Sequence, residues 1–418
     1  MKPNLPFENP VFESACKEIE ELGFRISGLP LPDSTLYAVV GARFNPRWWL
    51  IPLTNRRVTN SALALFQPVI TSARLLKGAA AIAISMRLAG LWARNRVYIS
   101  GESCLSDIFR DKGLCYAFFT GTDSPHRKVA VQIMDEKGFI KGFAKVSCKD
   151  AIKPLLKHEA KTLSHIHSLN LQTALIPNVL FCGSIAGAEV LVTDTRKTSK
   201  TKTAIELSKA HIEFLAELAE KTTSSRSQGT ENVVKALYKM CEAVADRLPN
   251  EWQRRLRNAI GIIEGHEKDL GSGSLSHGDF TPWNTFFVDG RLYVFDWEYT
   301  SEGSPPGSDL IHFILSLPAT KRMSAHDVAA EINKVLLNTG IAANSNMASL
   351  FFLCYLCVHS LRYSCRQTAV DSSPTTWDGE PEARVLIDLL LGSASRVVGD
   401  LGLHQLSSVE GDIQGCSN

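Results

Sequence analysis

The chain has 418 residues, of which 44% are hydrophobic and 21% charged, with a formal net charge of +2. This is the balance of an ordinary soluble protein with room for two or three compact units, and the small net charge does not itself point to a partner. Ten cysteines are scattered, several within apolar runs, which suits buried thiols in a reducing compartment better than a disulfide framework.

The opening residues, Met1 to Glu8, lack the apolar core of a signal peptide, and no uninterrupted apolar run reaches 18 residues. A cytoplasmic protein without a spanning helix is therefore expected. Glu8 to Leu22 reads as a short amphipathic helix and Leu29 to Ser34 as a proline-punctuated turn. Between Asp33 and Glu102 there is no acidic residue but nine basic ones: Arg43, Arg47, Arg56, Arg57, Arg74, Lys77, Arg87, Arg94 and Arg96. Ser61 to Leu91, rich in Ala, Leu and Ile, is expected to form two helices with Pro68 near their break. Residues 43–96 thus read in two ways. One is a helical extension packed on the body of the protein with its arginines in water. The other is a basic surface for an anionic partner or a peripheral membrane contact. Trp48 and Trp49 fit either an interfacial anchor or buried packing beside a strand at Trp49 to Leu53.

From Cys115 the pattern becomes β. Tyr116 to Thr120, a run in which Val129, Val131 and Ile133 alternate with Lys128, Ala130 and Gln132, and Ile140 to Val146 read as three strands. The first two flank a loop, Gly121 to His126, containing Gly121 and Ser124. Lys145 lies on the third strand. A helix from Ala151 to Ser168 follows, and Glu159 is its only acid, fourteen residues after Lys145. Ile176 to Cys182 and Glu189 to Thr193 read as a hairpin turning at Ala186-Gly187. After a polar linker the remainder is mostly helical, including a strongly apolar stretch from Asn346 to Tyr363 and a last helix from Glu380 to Val398.

One stretch interrupts the helices. Leu275 to Asn284 reads Leu-Ser-His-Gly-Asp-Phe-Thr-Pro-Trp-Asn, and two short β runs follow, ending Val-Phe-Asp-Trp-Glu. Asp289-Gly290 between those runs suits a two-residue hairpin turn, whose central positions need positive φ. Asp279 stands five residues before Asn284, and Asp296 twelve after it. Phosphoryl transfer to a hydroxyl needs a carboxylate beside the acceptor, oxygen ligands for Mg²⁺ and a cation on the donor phosphates. The spacing is that of a kinase catalytic loop and its metal-binding aspartate.

The segment resembles the aminoglycoside phosphotransferase and choline kinase family, with His277-Gly278-Asp279 and Asp296-Trp297 at the positions of that family's motifs. The resemblance covers about 280 residues, is specific at 277–298, suggestive at 145 and 159, and does not extend to 1–105. It implies a two-lobed, protein-kinase-like α+β fold: a β-rich small lobe at 106–195, a helical large lobe at 196–400, a basic and partly helical segment at 1–105, and a tail at 401–418. It also implies roles. Asp279 would be the catalytic base, Asn284 and Asp296 the Mg²⁺ ligands, Lys145 the contact to the ATP phosphates and Glu159 its partner. Gly121 and Ser124 would lie in the loop over the phosphates. His277 would pack the loop and Asp309 tie it down.

The activity so implied is an ATP- and Mg²⁺-dependent phosphotransferase acting on a hydroxyl of a small molecule such as a sugar or amino alcohol. A catalytically silent nucleotide-binding or scaffold protein of the same fold is the alternative. A protein kinase is disfavoured because no Asp-Phe-Gly to Ala-Pro-Glu segment follows Asp296. Neither a Walker A motif nor a GxSxG elbow occurs. Cys354 and Cys357 form a CxxC without a second pair, so no zinc site is expected. The basic segment lacks the aromatic-and-glycine signature of nucleic-acid modules.

Overall fold

Alternating apolar and polar residues in the first two hundred positions form ten strands. They are β1 (Arg25–Ser27), β2 (Thr35–Ala42), β3 (Arg47–Pro52), β4 (Arg96–Ser100), β5 (Leu114–Phe119), β6 (Val129–Asp135), β7 (Ile140–Ser147), β8 (Ala174–Leu175), β9 (Val179–Ile185) and β10 (Ala188–Asp194). The computed structural model describes residues 9–42, 46–65, 75, 77–79, 82, 95–122, 124, 126–198, 201–223, 233–368 and 379–392. They fall into two units: Met1–Ile205 with Pro282–Thr300, and Glu206–Thr281 with Ser301–Asn418. The fold is mixed α+β, as expected, with the sheet in the first unit and most helices in the second.

All the strands but β8 form one nine-stranded sheet, ordered β1-β4-β2-β3-β5-β6-β7-β10-β9, with every pairing antiparallel. Its register sorts side chains by face. Leu50, Phe118, Val131, Ala144 and Val192 lie in one cross-strand row and are fully buried. The helix Pro10–Glu20, capped by the Asn9 side chain, lays Phe12, Ala15 and Ile19 into the core on that face. The next row, on the opposite face, is Trp49, Phe119, Ala130, Lys145 and Leu191. There Leu156 and Ala160 of the helix Lys153–Ser168 pack on Leu191, and Val58 and Ala62 of the helix Arg56–Ala62 pack on Ala38, Ile51 and Ala117.

This sheet corrects the expected division at residue 105. Four strands from the basic segment continue the sheet beyond β5 rather than preceding a separate lobe. Trp48 is buried edge-on against Phe12, and Trp49 stacks on Phe119 at 4.8 Å, so both tryptophans are packing residues. Of the helices expected over 61–91, the first does not begin at Ser61: a helix runs earlier, Arg56–Ala62, and a 3-10 turn follows at Leu63–Leu65. The rest, with Pro68, Arg74, Arg87 and Arg94, falls almost wholly outside the described residues, as do Arg43 and the tail.

Strand β12 (Ser274–Ser276) lies in the second unit, and the first unit also holds a four-stranded sheet in which the hairpin β13 (Thr285–Val288) and β14 (Arg291–Val294) is flanked by β11 (Lys202–Thr203) and β8. Val288 pairs with Arg291 across the two-residue turn, and Asp289 and Gly290 both take positive φ, 50° and 78°, as their sequence foretold.

In the second unit, helices Lys209–Thr222, Val233–Ala243, Asn250–Gly265, Ser308–Ser316, Ala325–Asn338 and Ser345–Thr368 share one apolar core. Residues 380–392 are helical, which accounts for the first part of the helix expected over 380–398. By length and hydropathy alone, Ser345–Gln367 could cross a membrane, contrary to the sequence expectation. Its most apolar window, however, is 72% buried within the protein, as befits a core helix.

The continuity of the nine strands predicts that Leu50→Ala, in the segment the motifs did not claim, destabilises the first unit by about 2–5 kcal/mol. Its unfolding should coincide with that of Phe118→Ala, followed by urea denaturation. Separate transitions for the two variants would show that residues 25–100 fold apart from the rest.

Candidate active site

The first unit contains a cavity of about 590 Å³ against the sheet face that carries Lys145. Lys145 sits on β7 between Ala130 and Leu191, neither of which can answer its charge. Its ammonium is met from two other segments. Glu159, from the second turn of Lys153–Ser168, places both carboxylate oxygens at 2.5 and 2.6 Å, and Asp296, just beyond β14, bonds it from the hairpin side. Burial opposes the charge, but Asp296, Glu159 and Glu298 outweigh it and hold Lys145 above the usual lysine range.

The loop expected to cover phosphates does line this cavity, through Gly121, Ser124 and His126. Gly121 has φ +81°, and a Cβ there would lie 2.4 Å from the Lys128 carbonyl oxygen, so only glycine fits. The loop is anchored at its ends. Thr120 exchanges hydrogen bonds with Trp48, its N–H to the Trp48 carbonyl at 3.0 Å and its hydroxyl accepting from the Trp48 N–H at 2.9 Å. Arg127 is buried, donates to the Thr120 carbonyl (3.1 Å) and to the Ser14 hydroxyl (2.7 Å), and forms an ion pair with Glu18 (3.0 Å).

Asn284 and Asp296 come together at the open end of the hairpin, where the Asn284 carbonyl accepts the Phe295 N–H at 3.2 Å. Asp296 has φ +70°, a conformation few side chains adopt and one that the surroundings must hold. Glu298 was not singled out in the sequence, yet it joins this group. Oxygens of Glu159, Asp296 and Glu298 lie within 4.8 Å of one another, and Lys128 forms an ion pair with Glu298. Burial, with Asp296 and Glu298 adding to it against the pull of Lys145, lifts Glu159 to about 7. That proton affinity reflects burial and, after it, carboxylates crowded together, a repulsion that a further cation would relieve. Hard oxygen donors suit Mg²⁺, and Asp296, 26% exposed, is the most open of the three.

Asp279 belongs to the second unit, and its surroundings are equally definite. Asp309, at the start of Ser308–Ser316, accepts the N–H of His277 at 2.6 Å and that of Gly278 at 3.0 Å, while His277 is fully buried and accepts the Asp279 N–H at 3.3 Å. These are the packing and tying roles the resemblance implies for His277 and Asp309. The Asp279 carboxylate meets His312 at 3.2 Å, a partner that sequence reading missed. Of the tryptophans beside the motif residues, Trp297 is core, whereas Trp283 is 37% exposed and lines the cavity of the first unit. Cys354 and Cys357 are buried free thiols, and neither joins the carboxylate group found among the described residues.

Lys197 also lines the cavity, on the Thr193–Lys197 side, and was read only as linker. Its ammonium lies over the rings of Phe143 (5.5 Å) and Phe286 (4.9 Å), with no carboxylate in ion-pair range among the described residues. Burial, with a smaller push from Lys77, lowers its pKa to about 7. An unfolded lysine keeps its proton to about 10.5, so the unfolded state binds more protons between those values. Stability is therefore greatest above the unfolded pKa and lost as pH falls toward 7. Lys197→Met should abolish a gain of roughly 1 kcal/mol per pH unit that wild type shows between pH 7 and 8.5 in urea melts. Parallel curves for the two proteins would place a full charge on Lys197.

No protein-family model matches the sequence, and no curated protein matches it. Solved structures do resemble it. Choline kinase LicA from Streptococcus pneumoniae shares 16% identity over 63% of this chain and 89% of its own, with a TM-score of 0.44. An aminoglycoside phosphotransferase from Streptomyces rimosus, in complex with ADP and streptomycin, shares 16% over 55% and 90%, at 0.38. A macrolide 2'-phosphotransferase from Brachybacterium faecium shares 13% over 66% and 91%, at 0.40. The activities in those names are those proteins' own; this chain is similar to them.

Proposed function

We propose that the protein is an ATP- and Mg²⁺-dependent phosphotransferase that transfers the γ-phosphoryl group to a hydroxyl of a small molecule, with Asp279 as catalytic base. The observation that carries this reading is the Lys145 ammonium, bonded at once by Glu159 and Asp296 in a cavity roofed by a glycine-bearing hairpin loop. A cation so placed binds phosphate oxygens without becoming an unpaired charge when the site empties. Glu159 orients it from the helix, and Asp296 links it to the metal-binding position. Backbone N–H groups around Gly121 and Ser124 are suited to the donor's terminal phosphates.

Asn284, Asp296 and, by its place in the carboxylate group, Glu298 are the residues that would hold Mg²⁺. The ion supplies neutralisation of charge on the transferring phosphoryl group. Asp279 accepts the acceptor's proton or orients its hydroxyl, and Asp309 fixes the backbone that carries it. None of the nine described cysteines is in a disulfide, which fits the cytoplasmic location we propose.

Asp279→Asn is expected to lower kcat by about 10²–10⁴-fold with KM for ATP nearly unchanged, since the lost interaction belongs to proton transfer. Lys145→Met should instead weaken Mg·ATP binding in calorimetry and leave Asp296 without its ammonium. Both are read on the full chain with ATP consumption across a panel of alcohol acceptors. Turnover at the wild-type rate in either variant would overturn the assignment. Tight ATP binding with no turnover by wild type on any acceptor would favour the silent scaffold.

A further inference from the structure

We infer that His312 and Tyr355 are positioning residues for Asp279, holding one carboxylate oxygen so that the other faces the acceptor hydroxyl. The inference rests on the reading of Asp279 as base, but its observations are independent of that reading. All the groups lie in the helical unit. His312 Nε2 is 3.2 Å from Asp279 Oδ1, and His312 Nδ1 is 2.7 Å from the Tyr355 hydroxyl.

Chemistry fixes the direction of this chain. An ionised carboxylate only accepts hydrogen bonds, so Nε2 must carry the proton shared with Oδ1. In the neutral imidazole Nδ1 is then a bare acceptor, and the Tyr355 O–H is the donor that satisfies it. Burial, followed by the proximity of Asp309 and Asp279, raises the Tyr355 pKa well above the usual phenol range, so the hydroxyl keeps its proton. Tyr355 is itself packed: the His359 ring stacks on it at 5.5 Å and 17°, and His359 also lies 5.1 Å from His312. The order is Tyr355 O–H to Nδ1, then Nε2–H to Oδ1.

This order makes His312 an orienting group rather than a second base. Both ring nitrogens are engaged, so the imidazole has no free lone pair with which to take the proton that Asp279 acquires. The geometry of the helix supports the same role. Asp309 and His312 are three residues apart on Ser308–Ser316 and therefore share a face. The first grips the backbone of His277 and Gly278, and the second grips the side chain of Asp279. Together they hold both the backbone and the side chain of the loop. Asp279 and His312 remain 30% and 15% exposed, so the pair is within reach of solvent or a ligand.

Two readouts test this on the full-length protein. The tautomer of His312 can be read directly by long-range ¹H–¹⁵N NMR of the imidazole, assigned by its loss in His312→Gln. The expected wild-type state is Nε2–H with Nδ1 unprotonated and its ¹⁵N resonance shifted by the Tyr355 hydrogen bond, a shift that Tyr355→Phe should remove while Nε2–H persists. A wild-type Nδ1–H tautomer, an imidazolium with both nitrogens protonated, or an Nδ1 resonance indifferent to Tyr355→Phe would overturn the proposal. In turnover of Mg·ATP with the alcohol panel, His312→Leu should lower kcat about 10–100-fold, the range for partners that orient a functional ligand, at constant KM for ATP. His312→Gln, whose amide can still donate to Oδ1, should recover most of that loss. Equal rates for His312→Leu and wild type would sink the positioning role while leaving the phosphotransferase reading intact. A wild type that shows the Nε2–H tautomer but never turns over would overturn that reading, and the catalytic purpose of His312 with it.

Discussion

A lysine cannot stay charged when buried on the face of a sheet unless something else in the chain answers its charge, and Lys145 imposes that condition on the whole first unit. Its neighbours across the strands are Ala130 and Leu191, so the sheet offers no partner. The helix Lys153–Ser168 must therefore present Glu159 at the right turn, and the hairpin β13–β14 must end with Asp296 beside it. Three segments separated by up to 151 residues are tied at one point. Removing either carboxylate leaves a cation short of a partner, which costs more than the pair contributes when intact. The arrangement is thus better explained as a site kept for binding than as a device for stability.

The strands that extend the sheet serve the same site. The hairpin loop at Gly121 to His126 is short and turns at its glycine, and its ends need anchors. Both anchors come from the segment before residue 105: Trp48 pairs with Thr120, and Ser14 and Glu18 hold the buried guanidinium of Arg127. Glu18 also accepts from the Ser147 hydroxyl at 3.0 Å, which joins the end of β7 to the same helix. A segment that looks like an addition when judged by charge is, in its contacts, the frame for the loop that lines the cavity.

What the sequence made legible was local. Asp289-Gly290 announced its turn because only particular residues tolerate two successive positive φ values, and the hairpin then placed Asn284 near Asp296. Lys145 and Glu159 were found because a strand followed by a helix with a single acid leaves one possible pair. The role of Asp309 was readable only through the family motif. The residues missed had partners far away along the chain. Lys128 and Glu298 are 170 positions apart, and Tyr355 lies 43 from His312, so no local periodicity marks either contact. The pairing of β3 with β5 was hidden for the same reason. Its edge registers with a strand some 70 residues later, whereas the eye is drawn to a run of arginines whose side chains say little about backbone pairing.

Two lysines in one cavity show how far surroundings decide chemistry. Lys145 has carboxylates on two sides and stays charged; Lys197 has phenyl faces on two sides and drifts toward neutrality. Each phenyl contact is worth on the order of 0.5–2 kcal/mol, well short of what a carboxylate returns to a buried ammonium. Charge is therefore concentrated at the end of the cavity that holds Asp296, Glu159 and Glu298, and is thin at the end lined by Phe143, Thr193 and Lys197. A ligand that matches this gradient has one strongly anionic, metal-binding end and one flat, nearly neutral end. The nucleoside triphosphate we propose as donor has that form, whereas a polyphosphate without a base would leave the aromatic end unfilled.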